Sequence, residues 1–109
     1  MLRVHNIDGV SDVARRATAY IEAQLPGTLV WELFVDEDSG RGLMYQVHAS
    51  EEAEHSYEQA MVSQGFQAEL GEHADLDEII MLSPVTPQTR SELKQFGGVA
   101  MARVAGVSR

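Results

Sequence analysis

The stretch that decides the fold is TLVWELFV, residues 28–35, which the acidic turn DEDSGRG and the segment LMYQVHA, residues 43–49, follow. β-Branched and aromatic residues fill the first segment, and apolar side chains occupy both of its alternating faces. A strand with one face in water has polar residues on that face, so residues 28–35 are predicted to be covered on both sides. Gly40 and Gly42 give the turn its backbone freedom, and the two segments are therefore predicted to form a β-hairpin.

Alternation of side chains assigns each hairpin residue to one face of the sheet. In the first strand, Trp31 and Phe34 are predicted to point in opposite directions, and Leu29 is placed on the same face as Trp31. Only one of the two large rings then faces the helices. The returning strand divides into the apolar set Leu43, Tyr45 and Val47 and the more polar set Met44, Gln46 and His48.

Helices are predicted before and after the hairpin in the sequence. Apolar residues recur with a 3.6-residue period from Val10 to Leu25, which predicts an amphipathic helix that ends at Pro26. After the hairpin, Ser50 is a good N-cap and two glutamates follow it, which suits the positive end of a helix dipole. This second helix is predicted to break or kink near Gly65.

Short strands are predicted at both ends of this unit, at 2–7 and at 77–85, and residues 66–76 are predicted as a further helical turn or two. A short helix N-capped by Thr86 and a strand within 99–107 complete the chain. The order β-α-β-β-α-β predicts an α+β fold of the ferredoxin-like type with an antiparallel sheet, and with an extra C-terminal helix and strand. All 109 residues are expected to form one domain.

The net charge of the chain is −9, with 17 Asp and Glu against 8 Lys and Arg. Such an acidic surface repels phosphate backbones and anionic headgroups, so neither nucleic acid nor a membrane is expected as a partner. The absence of cysteine excludes disulfides and thiolate chemistry and agrees with a cytoplasmic location. No apolar run approaches the length of a secretory signal or a membrane span.

The second apolar face of the sheet has a consequence for assembly. In a β-α-β-β-α-β arrangement the two helices cover one face of the sheet only. The other face then needs a partner, and most soluble oligomers are two-fold symmetric copies of one chain. The sequence therefore predicts a homodimer.

The segment LPGTLVWELFVDEDSGRGLMYQVHASEEAEHSYEQAMVSQGF, Leu25–Phe66, resembles the antibiotic biosynthesis monooxygenase family. The shared features are a helix ending in Pro-Gly, a strand with an embedded Glu, an acidic turn, a strand running into Ser-Glu-Glu-Ala, and a helix leading to an aromatic residue. The resemblance implies a dimeric α+β barrel and, as in some members, cofactor-free oxygenation of a small aromatic or quinol-like ligand. It also implies a pocket between sheet and helices.

Two positions depart from the pattern of the family. Where the family often carries Glu in the third strand this chain has Gln46, and where it often carries His in the second helix this chain has Tyr57. A Gln–Tyr pair forms hydrogen bonds but does not shuttle protons near neutral pH, because the ordinary pKa of tyrosine is ~10. The alternative function is therefore a non-catalytic homodimeric module that binds a ligand or a partner protein. A haem-degrading branch shares the fold, but no histidine is placed as an axial ligand.

Eight residues are the candidates for a site. His48 is the expected base, with Gln46 and Tyr57 as orienting hydrogen-bond partners, although a structural histidine and a core tyrosine are the alternatives. Glu32 lies among apolar residues, where burial would raise its pKa towards an acid–base range. An edge position or a pair with Arg3 or Arg41 would make it structural instead, which is the favoured interpretation. The expected ligand contacts are Asn6, as a donor to a developing oxyanion, and the walls Trp31, Met61 and Phe66.

A metal centre is the other chemistry weighed for the stretch around the second helix. His48 and His55 lie seven residues apart, and Glu51 and Glu58 share a helix face with His55. The same residues are typical of the solvated face of an amphipathic helix, which is the favoured interpretation. Neither a metal nor another cofactor is expected.

Overall fold

The computed structural model describes residues 1–81, 87–95, 97–101, 103, 105 and 107. The chain divides into two compact units, Met1–Leu76 and Asp77–Arg109. The first unit has an α+β architecture in which three helices accompany a four-stranded antiparallel sheet. Its elements are β1 (Leu2–Val4), α1 (Ile7–Gln24), β2 (Thr28–Val35), β3 (Arg41–His48), α2 (Glu51–Ser63), α3 (Phe66–His73) and β4 (Ala74–Leu76).

The strands of the first unit lie in the order β2-β3-β1-β4, and each pair of neighbours is antiparallel. The second unit contains β5 (Ile80–Met81), α4 (Pro87–Gln95) and β6 (Val99–Ala100), with β5 and β6 parallel. The predicted C-terminal helix is present as α4, whereas the described part of the predicted strand at 99–107 is a strand only at Val99–Ala100. No helix within the described ranges is long and apolar enough to cross a bilayer.

Side-chain caps fix where the first two helices begin. The Oδ1 atom of Asn6 accepts a hydrogen bond from the Gly9 N–H at 3.1 Å, so α1 begins at Ile7. The prediction that the first strand extends to Ile7 is wrong for this reason. Ser50 caps α2 as predicted, because its Oγ atom accepts from the Ala53 N–H at 3.1 Å.

The hairpin of β2 and β3 is confirmed, with Trp31 opposite Gln46 and Phe34 opposite Leu43. Gly40 closes the turn with a φ of 74°, and a Cβ at this position would lie 2.7 Å from the carbonyl oxygen of Val4. Only glycine satisfies both conditions, since other residues rarely adopt this φ and the backbone of β1 leaves no space.

A β-bulge interrupts the hairpin near the start of β2. Thr28 pairs with His48 and Val30 pairs with Val47, so Leu29 is an extra residue on β2. The side chain of Leu29 is 62% exposed. Its predicted place on the face of Trp31 is therefore wrong, because simple alternation fails at a bulge.

The helices pack on one face of the sheet, called here the inner face, which carries Trp31, Leu33, Val35, Met44, Gln46 and His48. One core cluster joins α1 and α2 to Trp31, and a second joins α1, α3 and β1 to the remaining apolar residues of this face. The outer face of the hairpin carries Val30, Glu32, Phe34, Leu43, Tyr45 and Val47. Both faces are largely apolar, but only the inner face is covered by the helices of its own chain.

The end of the first unit differs from the sequence prediction. Residues 66–76 were expected to be helical, but α3 ends at His73 and Ala74–Leu76 pairs with β1. The predicted strand at 77–85 is therefore wrong in its start, and among its described residues Ile80–Met81 forms a strand. Residues 82–86, which include the predicted cap Thr86, lie outside the described residues, as do positions 102, 104 and 106 of the predicted last strand.

Candidate functional site

A tyrosine hydroxyl lies at the centre of a hydrogen-bonded network between the sheet and α2. Trp31 Nε1–H donates to the Tyr57 hydroxyl oxygen at 2.8 Å, and Gln46 Nε2–H donates to the same oxygen at 3.0 Å. Tyr57 is only 6% exposed, so these two donors replace the water that the phenolic oxygen loses on burial. The hydrogen bond predicted between Tyr57 and Gln46 is thus present.

The network continues from Gln46 to a histidine and a threonine. The Oε1 atom of Gln46 lies 3.1 Å from Nε2 of His48, and Oγ1 of Thr28 lies 3.0 Å from Nδ1 of His48. An amide oxygen only accepts, so Nε2 of His48 carries the hydrogen in this arrangement. In the neutral imidazole, Nδ1 is then the acceptor, and the Thr28 hydroxyl donates to it.

The register of the hairpin brings these groups together. Trp31 lies opposite Gln46, and Thr28 lies opposite His48, so all four side chains project from the inner face. Tyr57 approaches from the buried face of α2, which it shares with Ala60 and Met61. The bulge at Leu29 is required for this arrangement, because without the extra residue Thr28 would project from the outer face.

Burial sets the protonation states of the two titratable groups. Partial burial lowers the pKa of His48 from its ordinary value of 6.5. Burial also raises the pKa of Tyr57 from 10.0, and the hydrogen bonds from Trp31 and Gln46 offset only part of that rise. At neutral pH His48 is therefore an uncharged imidazole and Tyr57 a protonated phenol, so of these two groups His48 is the one able to accept a proton.

Met44 completes the surroundings of the phenol. Its Sδ atom lies 3.0 Å from Nε2 of Gln46 and 4.0 Å from the Tyr57 hydroxyl oxygen, which donates its own hydrogen towards the sulfur. The rings of His48 and Tyr57 are 5.0 Å apart between centroids and tilted by 39°. Since a thioether is a weak acceptor, the Tyr57 hydrogen is held loosely compared with the two bonds that its oxygen accepts.

A groove of about 350 Å³ lies beside the network, between the C-terminal half of α1 and the edge strand β2. Of the network residues, Thr28 and Trp31 line this groove, so they connect it to His48 and Tyr57. The α1 side of the groove is formed by Thr18, Ile21, Glu22, Leu25 and Pro26, and the β2 side by residues 28–32.

Two of the predicted pocket walls belong to the core. Met61 is buried with Ala17 and Ile21, and Phe66 packs against the same cluster. Phe66 also meets Tyr20 edge-on, with the ring centroids 6.0 Å apart. The groove is therefore lined by Trp31 as predicted, but its other walls come from α1 instead of Met61 and Phe66.

Asn6 and Glu32 lie away from the network. The amide of Asn6 caps α1 through Oδ1, and its Nδ2 lies 3.1 Å from Nδ1 of His73, so both ends of the amide have structural partners. Glu32 is exposed on the outer face opposite Tyr45, and its strand β2 is an edge of the sheet. The edge position that was the favoured interpretation is therefore confirmed, and the alternative of a buried carboxylate is wrong.

The acidic face of α2 does not form a metal centre with the sheet. Across the residues with assigned placement, no group of three or more His, Asp or Glu side chains has the geometry to hold a metal ion. His55 is exposed, with its Nε2 atom 3.4 Å from Nε2 of Gln59. The pKa of Glu54 is raised, first by burial and then by the neighbouring charges of Glu58 and Glu51.

The sequence interpretation missed Thr28. A threonine at the start of a strand is ordinary, and its contact with His48 depends on the register that the bulge sets. The one signal available was its cross-strand position, since residue 28 begins the first strand of the hairpin and residue 48 ends the second.

In comparisons of sequence, no protein-family model and no curated protein matches this chain. Among solved structures, the crystal structure of MupZ from Pseudomonas fluorescens matches with a TM-score of 0.71 and 12% sequence identity. The match covers 99% of this chain and 88% of that chain. At such low identity the likeness shows a shared fold and nothing about activity.

Proposed function

We propose that the chain is the subunit of a homodimeric, ferredoxin-like α+β barrel protein of the antibiotic biosynthesis monooxygenase type. Its activity would be the cofactor-independent oxygenation of a small aromatic, quinol-like ligand. The strand order β2-β3-β1-β4 with the helices on one face supports the ferredoxin-like assignment. The groove beside the polar network supports a small ligand, because its size suits one or two aromatic rings.

One observation carries the catalytic part of the proposal. His48 is a neutral imidazole whose Nε2–H is held by Gln46 and whose Nδ1 faces the hydroxyl of Thr28, a residue of the groove wall. A base that is uncharged at neutral pH and has one fixed tautomer is ready to receive a proton. Thr28 is the group through which that proton would arrive.

The reaction follows from this arrangement. An activated C–H or O–H of the ligand transfers its proton to Oγ1 of Thr28, while the Thr28 hydroxyl proton passes to Nδ1 of His48. Gln46 Oε1 stabilises the resulting imidazolium through its hydrogen bond with Nε2–H. Molecular oxygen then reacts with the electron-rich carbanion. For an anthrone-type CH₂ group, one oxygen atom becomes the carbonyl of the product and the other leaves as water with both hydrogens.

The homodimer of the proposal uses the outer face of the sheet. Phe34 is 54% exposed, and Leu43 and Tyr45 are each 45% exposed, on neighbouring positions of the hairpin. Side chains of this size on adjacent strands form a contiguous apolar patch that water disfavours. A second copy related by a two-fold axis covers such a patch with the same residues.

A second candidate function is a dimer that binds an aromatic ligand without transforming it. The observation that favours it is the central pair of the network, since Gln46 and Tyr57 bind each other and neither is a base near neutral pH. Ligand binding without turnover would favour this binding function over oxygenation.

Oxygen consumption separates the two functions. The protein is incubated with a panel of hydroxyanthrones and quinols while dissolved oxygen and ligand binding are followed. For a turned-over substrate, Thr28→Val is expected to lower kcat about 100-fold, in the range for loss of a positioned proton-transfer group. Thr28→Ser retains the hydroxyl and is expected to restore most of the activity.

Thr18→Val is the matched control for this test. Thr18 also lines the groove, but its hydroxyl donates to the Ala14 carbonyl at 2.8 Å and so is committed to the helix backbone. Thr18→Val is expected to leave kcat within a few-fold of the value for the original chain. Equal losses in both variants would contradict the role of Thr28, and aromatic binding without oxygen uptake would support the binding function instead.

A further inference from the structure

The groove between α1 and β2 carries negative charge on both of its sides. Glu22 lies on the α1 side and Glu32 on the β2 side, and both carboxylates are exposed. Within the described part of the chain, no lysine, arginine or histidine lines the groove. The chain as a whole has a net charge of −9, so the long-range field has the same sign as the local one.

Part of the lining of the groove is apolar and is called here its floor. It consists of Ile21 and Leu25 on the α1 side and of Val30 and Trp31 on β2. A hydrated inorganic cation gains nothing from such walls, whereas a ligand with an apolar body removes them from water. The indole ring of Trp31 also attracts positive charge through its quadrupole.

We propose that this groove binds a small aromatic cation, with the ring against the apolar floor and a protonated amine towards Glu22 and Glu32. The inference rests on the proposed function in placing the ligand in this groove, and it extends that function by naming the charge class of the ligand. Anionic aromatics such as carboxylates are rejected, because they meet two carboxylates and no compensating cation.

Three probes with one phenyl ring and different charge test this inference. They are phenethylamine, 2-phenylethanol and 3-phenylpropionate, which are cationic, neutral and anionic at neutral pH. Trp31 is the only tryptophan of the chain, so its fluorescence and its indole N–H resonance report directly on the groove. The amine is expected to bind about 10-fold more tightly than the alcohol, as two weak exposed ion pairs imply, and the carboxylate more weakly than both.

Charge-neutralising variants identify the source of the preference. Glu22→Gln and Glu32→Gln are each expected to weaken amine binding about 3-fold and the double variant about 10-fold, with alcohol binding unchanged. Glu37→Gln, in the hairpin turn, is the control and is expected to change none of the affinities. Raising the salt concentration is expected to remove most of the amine preference.

Several outcomes would overturn the inference: equal affinities for the three probes, no binding of any probe, or an amine preference that survives the double variant. These outcomes are separable from failure of the proposed function. Oxygen uptake from a neutral quinol with no amine preference removes the charge inference alone. Tight amine binding without oxygen uptake from any substrate removes the oxygenase proposal and leaves the charge inference standing.

Discussion

The two faces of the hairpin have different surroundings, since helices cover the inner face and the outer face is open to solvent. On the inner face, Trp31, Gln46 and His48 lie under helices, and their polar atoms form hydrogen bonds with one another or with Thr28 and Tyr57. On the outer face, alternate residues of the same strands are mostly apolar and lie open to solvent. The polar side chains of Gln46 and His48 are therefore protected, whereas the large apolar side chains of Phe34, Leu43 and Tyr45 are exposed.

This contrast indicates that the two faces have different roles. Burial on the inner face lowers the pKa of His48 and raises that of Tyr57, so the helices determine the chemistry of the network. The apolar residues of the outer face gain nothing from exposure, and the proposed homodimer would cover them. Each face can be disrupted without touching the other, and the experiments below use that property.

The largest expected effect comes from placing charge on the outer face. The double variant Phe34→Asp, Leu43→Asp is expected to convert a dimer into a monomer, because each buried apolar side chain contributes about 2 kcal/mol to association. Each substitution is present in both subunits, so four side chains are lost, and the total of about 8 kcal/mol corresponds to roughly a 10⁶-fold rise in the dimer dissociation constant. Sedimentation velocity across a concentration series measures the change.

The control for this variant is Val62→Asp. Val62 is also an exposed apolar residue, but it lies on α2 and not on the outer face of the sheet. It is expected to leave the dimer intact. A wild-type chain that sediments as a monomer at every concentration would refute the association through the outer face.

The second effect concerns the two tyrosines that lie on different sides of the sheet. Tyr57→Phe removes the oxygen that accepts from Trp31 and Gln46, and it leaves two N–H donors without their acceptor. The free energy of unfolding is expected to fall by about 2 kcal/mol, the range for losing a buried hydrogen-bond partner. Urea denaturation at a fixed protein concentration measures it.

Tyr45→Phe is the matched change on the outer face. Because Tyr45 is half exposed, its hydroxyl is expected to contribute less than about 0.5 kcal/mol to stability. A loss in Tyr57→Phe no larger than in Tyr45→Phe would contradict the structural importance of the network.

Much of this arrangement was predictable from the sequence, because side chains alternate with a period of two in strands and recur with a period of 3.6 in helices. Alternation by two placed Trp31 and Phe34 on opposite faces and put Gln46 with His48. Capping chemistry located the start of α2 at Ser50. The second helix then delivered Tyr57 to the sheet, as its apolar spacing requires.

The errors arose where one residue type serves two local structures. An asparagine after a short strand is either a strand end or a helix N-cap, and the choice at Asn6 depends on Gly9 and His73. The bulge at Leu29 depends on how β2 registers with β3, which no local pattern encodes. For Glu32 the sequence left burial and an edge position open, because the position of β2 in the sheet depends on the pairing of strands that are distant in the sequence.

The third effect concerns the carboxylate that the proposed family often has on the third strand. Gln46→Glu places an acid 3.1 Å from Nε2 of His48, and an opposite charge at this distance favours the imidazolium. The pKa of His48 is expected to rise by about one unit or more. Chemical shifts of the His48 ring protons across a pH titration measure it.

The same substitution also changes Tyr57, which loses a donor and gains a negative neighbour. Its phenol is therefore expected to ionise less readily in Gln46→Glu than in the original chain. Glu58→Gln, which removes a charge that raises the pKa of Tyr57, is expected to act in the opposite direction. An unchanged His48 titration in Gln46→Glu would show that residues 46 and 48 are not hydrogen-bonded in solution.

The smallest effect is the pH dependence that His48 imposes on stability. Its pKa is lowered in the folded state, so between that value and the ordinary 6.5 the unfolded chain binds more protons. Stability is therefore fully present above pH 6.5 and declines as the pH falls through the lowered pKa. Because the ring is only half-buried, solvent screening keeps the expected change small. Urea denaturation from pH 7.5 downward should show this decline in the original chain and in the control His55→Gln. The decline is expected to be shallower in His48→Gln. Identical slopes in all three proteins would exclude His48 as the source.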